Sequence, residues 1–76
     1  MKKNNAPHNK TITRDEVIEI ASTTKQLTNL DLSRIDLSEL DLSDCDLTRS
    51  ILDYGWFQGT KFDRAILKGT SFRNAM

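Results

Sequence analysis

Residues 29–48 read NLDLS-RIDLS-ELDLS-DCDLT, four five-residue units in succession. The register continues in both directions from them. A large apolar residue stands at every fifth position: Leu27, Leu32, Leu37, Leu42, Leu47, Leu52, Phe57, Phe62, Leu67 and Phe72. An α-helix repeats every ~3.6 residues and a strand every ~2. Five fits neither, so the unit is a turn-like segment used repeatedly.

The other positions of the unit obey the same register. Two residues before each centre stand Leu30, Ile35 and Leu40, then Cys45, Ser50, Gly55, Thr60, Ala65 and Thr70, all small. One residue before the centre stands Asp31, Asp36, Asp41 and Asp46 in the first half. With these residues the stretch resembles the pentapeptide-repeat family, whose unit is roughly Ala-Asp/Asn-Leu followed by two variable residues. The resemblance covers about two thirds of the chain. It departs from the family pattern at Leu30, Ile35 and Leu40, where the inward residue is large. It departs again at Ile51, Trp56, Lys61, Ile66 and Ser71, where Asp or Asn is replaced.

The resemblance implies a mainly β fold, a right-handed quadrilateral β-helix in which four units make one coil. The central residue and the one two before it point inward, and the rest face solvent. Residues twenty apart then stack, at the ordinary strand spacing of ~4.8 Å. The expected inner columns are Leu27, Leu47 and Leu67; Leu32, Leu52 and Phe72; Leu37 and Phe57; Leu42 and Phe62. About two and a half coils result. On the outside, the same spacing sets Asp41 over Lys61, Asp44 over Arg64 and Asp53 over Arg73, each couple opposite in sign. An exposed pair contributes about 0–1 kcal/mol.

Ahead of the repeat lies one short helix. Thr13 and Glu16 have capping-box spacing, and Ile12 and Val17 stand at the two positions of a hydrophobic staple. Asp15 and Glu16 suit the helix dipole. Val17, Ile20 and Ala21 share a face, with Ile18 beside it. Ser22, Thr23 and Thr24 weaken the helix and end it. So short a helix needs a surface to pack on. The wide end of the stack, lined by Leu30, Ile35 and Leu40, supplies one, since solenoid ends need caps. The expected organisation is a flexible tail at 1–11, a capping helix at 12–26 and the repeat β-helix at 27–76.

Composition narrows the function classes. The chain has 76 residues, 37% hydrophobic and 29% charged, and formal net charge zero. Residues 1–26 carry five basic and three acidic groups, net +2; residues 27–52 carry two and six, net −4; residues 53–76 carry four and two, net +2. No direct nucleic-acid binding is expected from this balance. No apolar run is long enough to span a membrane, and no signal peptide is recognised. Cys45 has no second cysteine to pair with, which fits a reducing, cytoplasmic setting. In register it points inward as a small hydrophobe.

Catalysis finds no support in these residues. His8 is the only histidine and lies in the tail. Ser33, Ser38 and Ser43 occupy a repeating outward position with no base beside them, and a nucleophile needs one. Gly55, Gly59 and Gly69 form no phosphate loop. The expectation is a non-enzyme with no catalytic residues, metal or cofactor.

What remains is binding. The outward apolar residues Ile51, Tyr54, Trp56 and Ile66 are the expected protein-partner contacts, since exposed aromatics are common anchors. The C-terminal end has no matching cap: it pairs with a second copy, continues into a longer repeat or receives a partner. The first is the leading expectation, a homodimer through Phe62, Phe72 and Met76. A second reading makes the chain an acidic nucleic-acid mimic. Family members that protect gyrase from quinolones are DNA-like in shape and charge. Asp36, Glu39, Asp41 and Asp44 would then inhibit gyrase or a host-defence nuclease, in a protein of the kind a phage or plasmid carries. However, Asp31, Asp36, Asp41 and Asp46 are spaced by five, so they ring the coil rather than line it. Asp in this slot also bonds turn backbone.

Overall fold

The computed structural model describes residues 10–76. Its elements are strand β1 (Lys10–Thr11), helix α1 (Arg14–Ala21) and strand β2 (Leu30–Asp31), followed by repeated turns. His8 and most of the expected tail lie outside the described residues. Lys10 and Thr11, at the end of that tail, are in a strand.

From Gln26 onward the chain returns to itself every twenty residues. Parallel bridges join Gln26 to Asp46, Asp31 to Ile51, Asp36 to Trp56, Asp41 to Lys61, Asp46 to Ile66 and Ile51 to Ser71. Two series of hydrogen bonds hold these levels together. The central amides from Leu27 to Phe57 donate to a carbonyl nineteen residues on, as Leu37 N–H does to Trp56 O at 2.9 Å. From Asp46 onward the residue before a centre donates to a carbonyl twenty-one back, as Trp56 N–H does to Ile35 O at 3.0 Å.

The turns explain the period of five. The amide three residues past the centre donates to the central carbonyl, as Ile35 does to Leu32 and Ala65 to Phe62. The residue two past the centre has positive φ throughout: Asn29, Arg34, Glu39, Asp44, Arg49, Tyr54, Gly59, Arg64, Gly69 and Asn74. That is the type II turn pattern. Most of these residues are not glycine, and a left-handed non-glycine costs roughly 1–2 kcal/mol. Ladder bonds and core burial must therefore over-determine the turn.

The core is the column of centres. Leu27, Leu32, Leu37, Leu42, Leu47 and Leu52 are buried, with Cys45 and Ser50 between them. Ser50 is the buried polar exception, and its hydroxyl is fully used. It accepts from Leu30 N–H at 3.0 Å and donates to Leu27 O. Thr60 and Thr70 likewise donate to Leu37 O and Leu47 O, both at 2.8 Å. The small inward slot thus suits a hydroxyl as well as a methyl, provided it reaches a carbonyl.

Toward the C-terminal end leucine gives way to phenylalanine. Phe57, Phe62 and Phe72 meet edge to face or tilted, with centroids 5.5–6.1 Å apart. Gly55 makes room for this cluster. A Cβ there would lie 2.7 Å from Phe57 Cζ and 3.1 Å from the Ile35 carbonyl oxygen. Gly55→Ala is therefore expected to cost about 1–3 kcal/mol by overpacking. Urea denaturation checks this, and a Gly55→Ala/Phe57→Leu double variant should recover much of the loss by removing the ring.

At the other end, α1 is capped as its sequence predicts. Glu16 N–H donates to Thr13 Oγ1 at 3.2 Å, and Thr13 N–H donates to Glu16 Oε1 at 2.8 Å. Val17 and Ala21 are buried, Ile20 packs beside them, and Ile18 is 41% exposed. Val17, Ile20 and Ala21 join one apolar cluster with the leucine column and with Leu30, Ile35 and Leu40. β1 pairs in parallel with β2, Lys10 with Leu30 and Thr11 with Asp31. The twenty-residue register therefore begins before the helix. Ile12 stands twenty before Leu32 and is buried in the same cluster.

Candidate interaction surfaces

The aspartates of the first level are engaged with their own turns. Oδ1 of Asp31, Asp36, Asp41 and Asp46 accepts the amide two residues on, from Ser33, Ser38, Ser43 and Thr48, each at 3.0 Å. Ser33 and Ser38 also donate their hydroxyls to the same oxygens at 2.5 Å, and Thr48 donates its hydroxyl to Asp46. The slot prefers aspartate because a short acceptor reaches the turn amide.

Where the aspartate is missing, another group takes its place. Ser71 occupies that slot, and Asp53 of the level above accepts both the Ser71 hydroxyl at 2.5 Å and the Arg73 amide at 2.9 Å. The expected Asp53–Arg73 couple therefore meets at the arginine's backbone. Asp44 and Arg64 form the expected ion pair, with both guanidinium contacts made, at 2.8 and 3.1 Å. Asp41 and Lys61 are bridged through backbone, but no ion pair joins them among the described residues. Residues twenty apart are paired, and among the described residues one of the three charge couples, Asp44–Arg64, is a direct ion pair.

These contacts lower carboxyl pKa values. The Ser38 hydroxyl and amide hold Asp36 below its ordinary value, Ser43 does so for Asp41, and Thr48 for Asp46. Arg64 lowers Asp44, and Ser71 with the Arg73 amide lowers Asp53. Burial pushes the Cys45 thiol up. A carboxyl whose folded pKa lies below its unfolded value of ~3.9 stabilises the fold above that pH. The contribution is lost as pH falls through the folded values. The melting temperature is expected to hold steady from neutral pH to about pH 5 and to fall below about pH 4. Circular dichroism melts across that range check it, and Asp46→Asn should blunt the acid slope.

The outward apolar residues separate into neighbours and an outlier. Ile51 lies in the bridge column with Asp31 and Ser71. Tyr54 follows at the next turn, 46% exposed, with the Arg34 guanidinium 4.9 Å from its ring centroid. Trp56, 45% exposed, begins the next segment beneath Asp36. Ile66 bridges Asp46, two segments away from Trp56. Met76 is the nearer companion. It occupies the rung below Trp56, where its amide donates to Gly55 O at 3.0 Å and its carbonyl accepts from Phe57 N–H at 2.8 Å. Trp56, Met76, Gln58, Asp36 and Ser38 line one shallow groove. Met76, expected at the C-terminal end, stands twenty after Trp56 and so shares its flank.

Phe62 and Phe72 are half-buried and pack on each other, while Met76 is 70% exposed on the flank. The self-association trio is thus divided between the interior of the end and its outer wall. Glu39 lies over Gly59, where a Cβ would sit 2.6 Å from its carboxylate oxygen.

A residue not singled out from sequence holds the cap in place. Arg14 donates to Asp36 O at 2.8 Å and Ser38 O at 3.0 Å, and its guanidinium lies 3.6 Å from the Asp36 carboxylate. Those two carbonyls face away from the second level, at the free edge of the first.

The family model described as Pentapeptide repeats (8 copies) matches residues 26–53. No curated protein and no solved structure matches the chain. No helix among the described residues is long and apolar enough to cross a membrane.

Proposed function

Because residues 26–53 are pentapeptide repeats, we propose that this chain is a non-catalytic protein-interaction module built on a right-handed quadrilateral β-helix. It acts without metal or cofactor in a reducing cytoplasm. The observation that carries this reading is the flank formed by Ile51, Tyr54, Trp56 and Met76. Tyr54 is exposed at the turn before Trp56, and Trp56 and Met76 line one groove, all at positions where the repeat calls for polar residues. Aromatic anchors of this kind dominate binding energy at protein interfaces, and methionine adapts to varied partner shapes. Ile66, two segments away, stands apart from this flank.

The C-terminal end supports self-association. Leu67 is 39% exposed there, beside Phe62 and Phe72. Among the described residues the ladder amides of Phe62 and Leu67 have no partner. Apolar surface next to open strand edges favours a second copy.

The acidic inhibitor is the second reading, supported by the excess of six acidic over two basic groups at 27–52. Asp36, Asp41 and Asp44 are nevertheless held by Ser38 and Arg14, by Ser43 and by Arg64. Glu39 is the member without such a bond among the described residues.

Affinity enrichment with tagged protein separates the two. Trp56→Ala is expected to lose the captured partner at unchanged melting temperature. Loss with Glu39→Lys but not with Trp56→Ala would overturn the module reading and favour mimicry. Sedimentation equilibrium of the free protein tests the homodimer, and a strict monomer at high concentration would remove it.

A further inference from the structure

The first level has a free edge, and the molecule treats its segments differently. On the second segment the edge is paired by β1, Lys10 with Leu30 and Thr11 with Asp31. On the third segment the Asp36 and Ser38 carbonyls are taken by Arg14. On the fourth segment the equivalent groups are Asp41 N–H, Asp41 O and Ser43 O. None has a backbone or side-chain partner among the described residues.

That fourth segment borders a groove of about 620 Å³, between the coil and the C-terminal half of α1. Its apolar lining is Ile18, Ala21, Leu40 and Leu42, and its charged rim is balanced, Lys25, Lys61 and Arg64 against Asp41, Asp44 and Asp63. Ile18 is exposed on the helix face that looks along this groove. Had the chain continued its register backward, a strand would run here, above Asp41. Instead α1 cuts across the end of the stack and leaves that rung empty.

We propose that this rung is a peptide-binding site. It takes an extended segment of a partner protein, added in parallel to Asp41–Ser43 as an extra strand. The occupant's chemistry follows from the walls. Backbone groups supply the pairing, so the segment has free amides and no proline at the paired positions. The balanced rim selects no net charge, so the segment is neutral overall. One aliphatic side chain fits between Ile18 and Leu40, as Ile12 fits into the core beside the β1 pairing. The precedent is on the same edge: a lysine–threonine pair of this chain already adds to it two segments away. Strand edges left open are templates for such addition. This site is separate from the Trp56 flank, and its failure would leave that reading intact.

The test uses the full chain, isotope-labelled, titrated by nuclear magnetic resonance. The probe is an acetylated, amidated peptide based on residues 9–13 with glutamine in place of Lys10, Asn-Gln-Thr-Ile-Thr, which is neutral, together with versions carrying valine, leucine or phenylalanine for isoleucine. At least one should give saturable shifts at the amides of Asp41 to Asp44 and at Ile18. N-methylation of the aliphatic residue removes the amide that would donate to Asp41 O. It should weaken binding about tenfold, the equivalent of one hydrogen bond. Ile18→Glu, on an exposed position that leaves the fold intact, should weaken it similarly. Absence of saturable shifts with all four peptides overturns the proposal, as does binding indifferent to N-methylation. Shifts confined to Leu30 and Asp31 would mean exchange with β1, and concentration-dependent shifts without peptide would assign the edge to a second copy; either result also overturns it.

Discussion

Leu47→Ala is expected to remove about 2–5 kcal/mol of stability. A chain of this size holds roughly 4–11 kcal/mol in total, so a large share of its stability should go and the denaturation midpoint should fall sharply. Leu47 stands in the middle of its column, twenty after Leu27 and twenty before Leu67, and has no exposed surface. The levels above and below are fixed by ladder bonds, Leu27 N–H to Asp46 O at 2.8 Å and Leu47 N–H to Ile66 O at 2.8 Å. The backbone therefore cannot collapse into the space that three lost carbons leave. A rigid lattice keeps its cavity, and a retained cavity is what makes such substitutions costly. Leu67→Ala is the internal comparison. It occupies the same column but is 39% exposed at the end, so its loss should be roughly half as large or less. Guanidinium denaturation of both variants decides the matter. Equal losses would mean that the column of centres is not what holds the fold.

Val17→Asp is expected to release the cap. Val17 is fully buried in the cluster shared by α1 and the leucine column. Ionised aspartate there would lose its hydration without gaining a cation, a cost of several kcal/mol. Detaching the helix avoids that cost but uncovers Leu30, Ile35 and Leu40. It also frees the Asp36 and Ser38 carbonyls that Arg14 holds. The variant should lose its helical circular dichroism and associate as concentration rises, because open strand edges and apolar ends pair with other chains. Ile18→Asp, one residue along on the 41% exposed face, should change stability by no more than about 0.5 kcal/mol. If Val17→Asp leaves the helical signal and the monomer untouched, the helix is not a cap.

The fifth-residue rhythm was legible because it records a local alternation. One side chain in five must be large, apolar and inward, and the one two before it small enough for the turn. Each condition is met within a few residues, so Leu27 to Phe72 could be read without knowing the path between them. The stacking by twenty was legible too, and the bridges from Asp41 to Lys61 and from Asp36 to Trp56 follow it. The helix was readable from Thr13 and Glu16 for the same reason, since a capping box closes within one turn.

The limits of that reading are physical. Asp53 and Arg73 stack as expected, yet the carboxylate turns to the Ser71 hydroxyl and the Arg73 amide. Two fixed donors nearby outweigh a mobile guanidinium in water. Ile12 stands twenty before Leu32, but the helix between them hides the repeat, so β1 escaped notice. Trp56 and Met76 were assigned to different surfaces although one rung separates them.

From the residues alone follow the unit, its inward and outward positions, the spacing of the levels and the need for a cap. Only the tertiary structure decided how the cap sits. The angle at which α1 crosses the stack brings Arg14 to the Asp36 and Ser38 carbonyls, twenty-two and twenty-four residues away, and leaves the Asp41–Ser43 edge open. That angle depends on how Val17, Ala21 and Ile12 settle against many leucines at once. No short stretch of sequence encodes a contact made by all of them together.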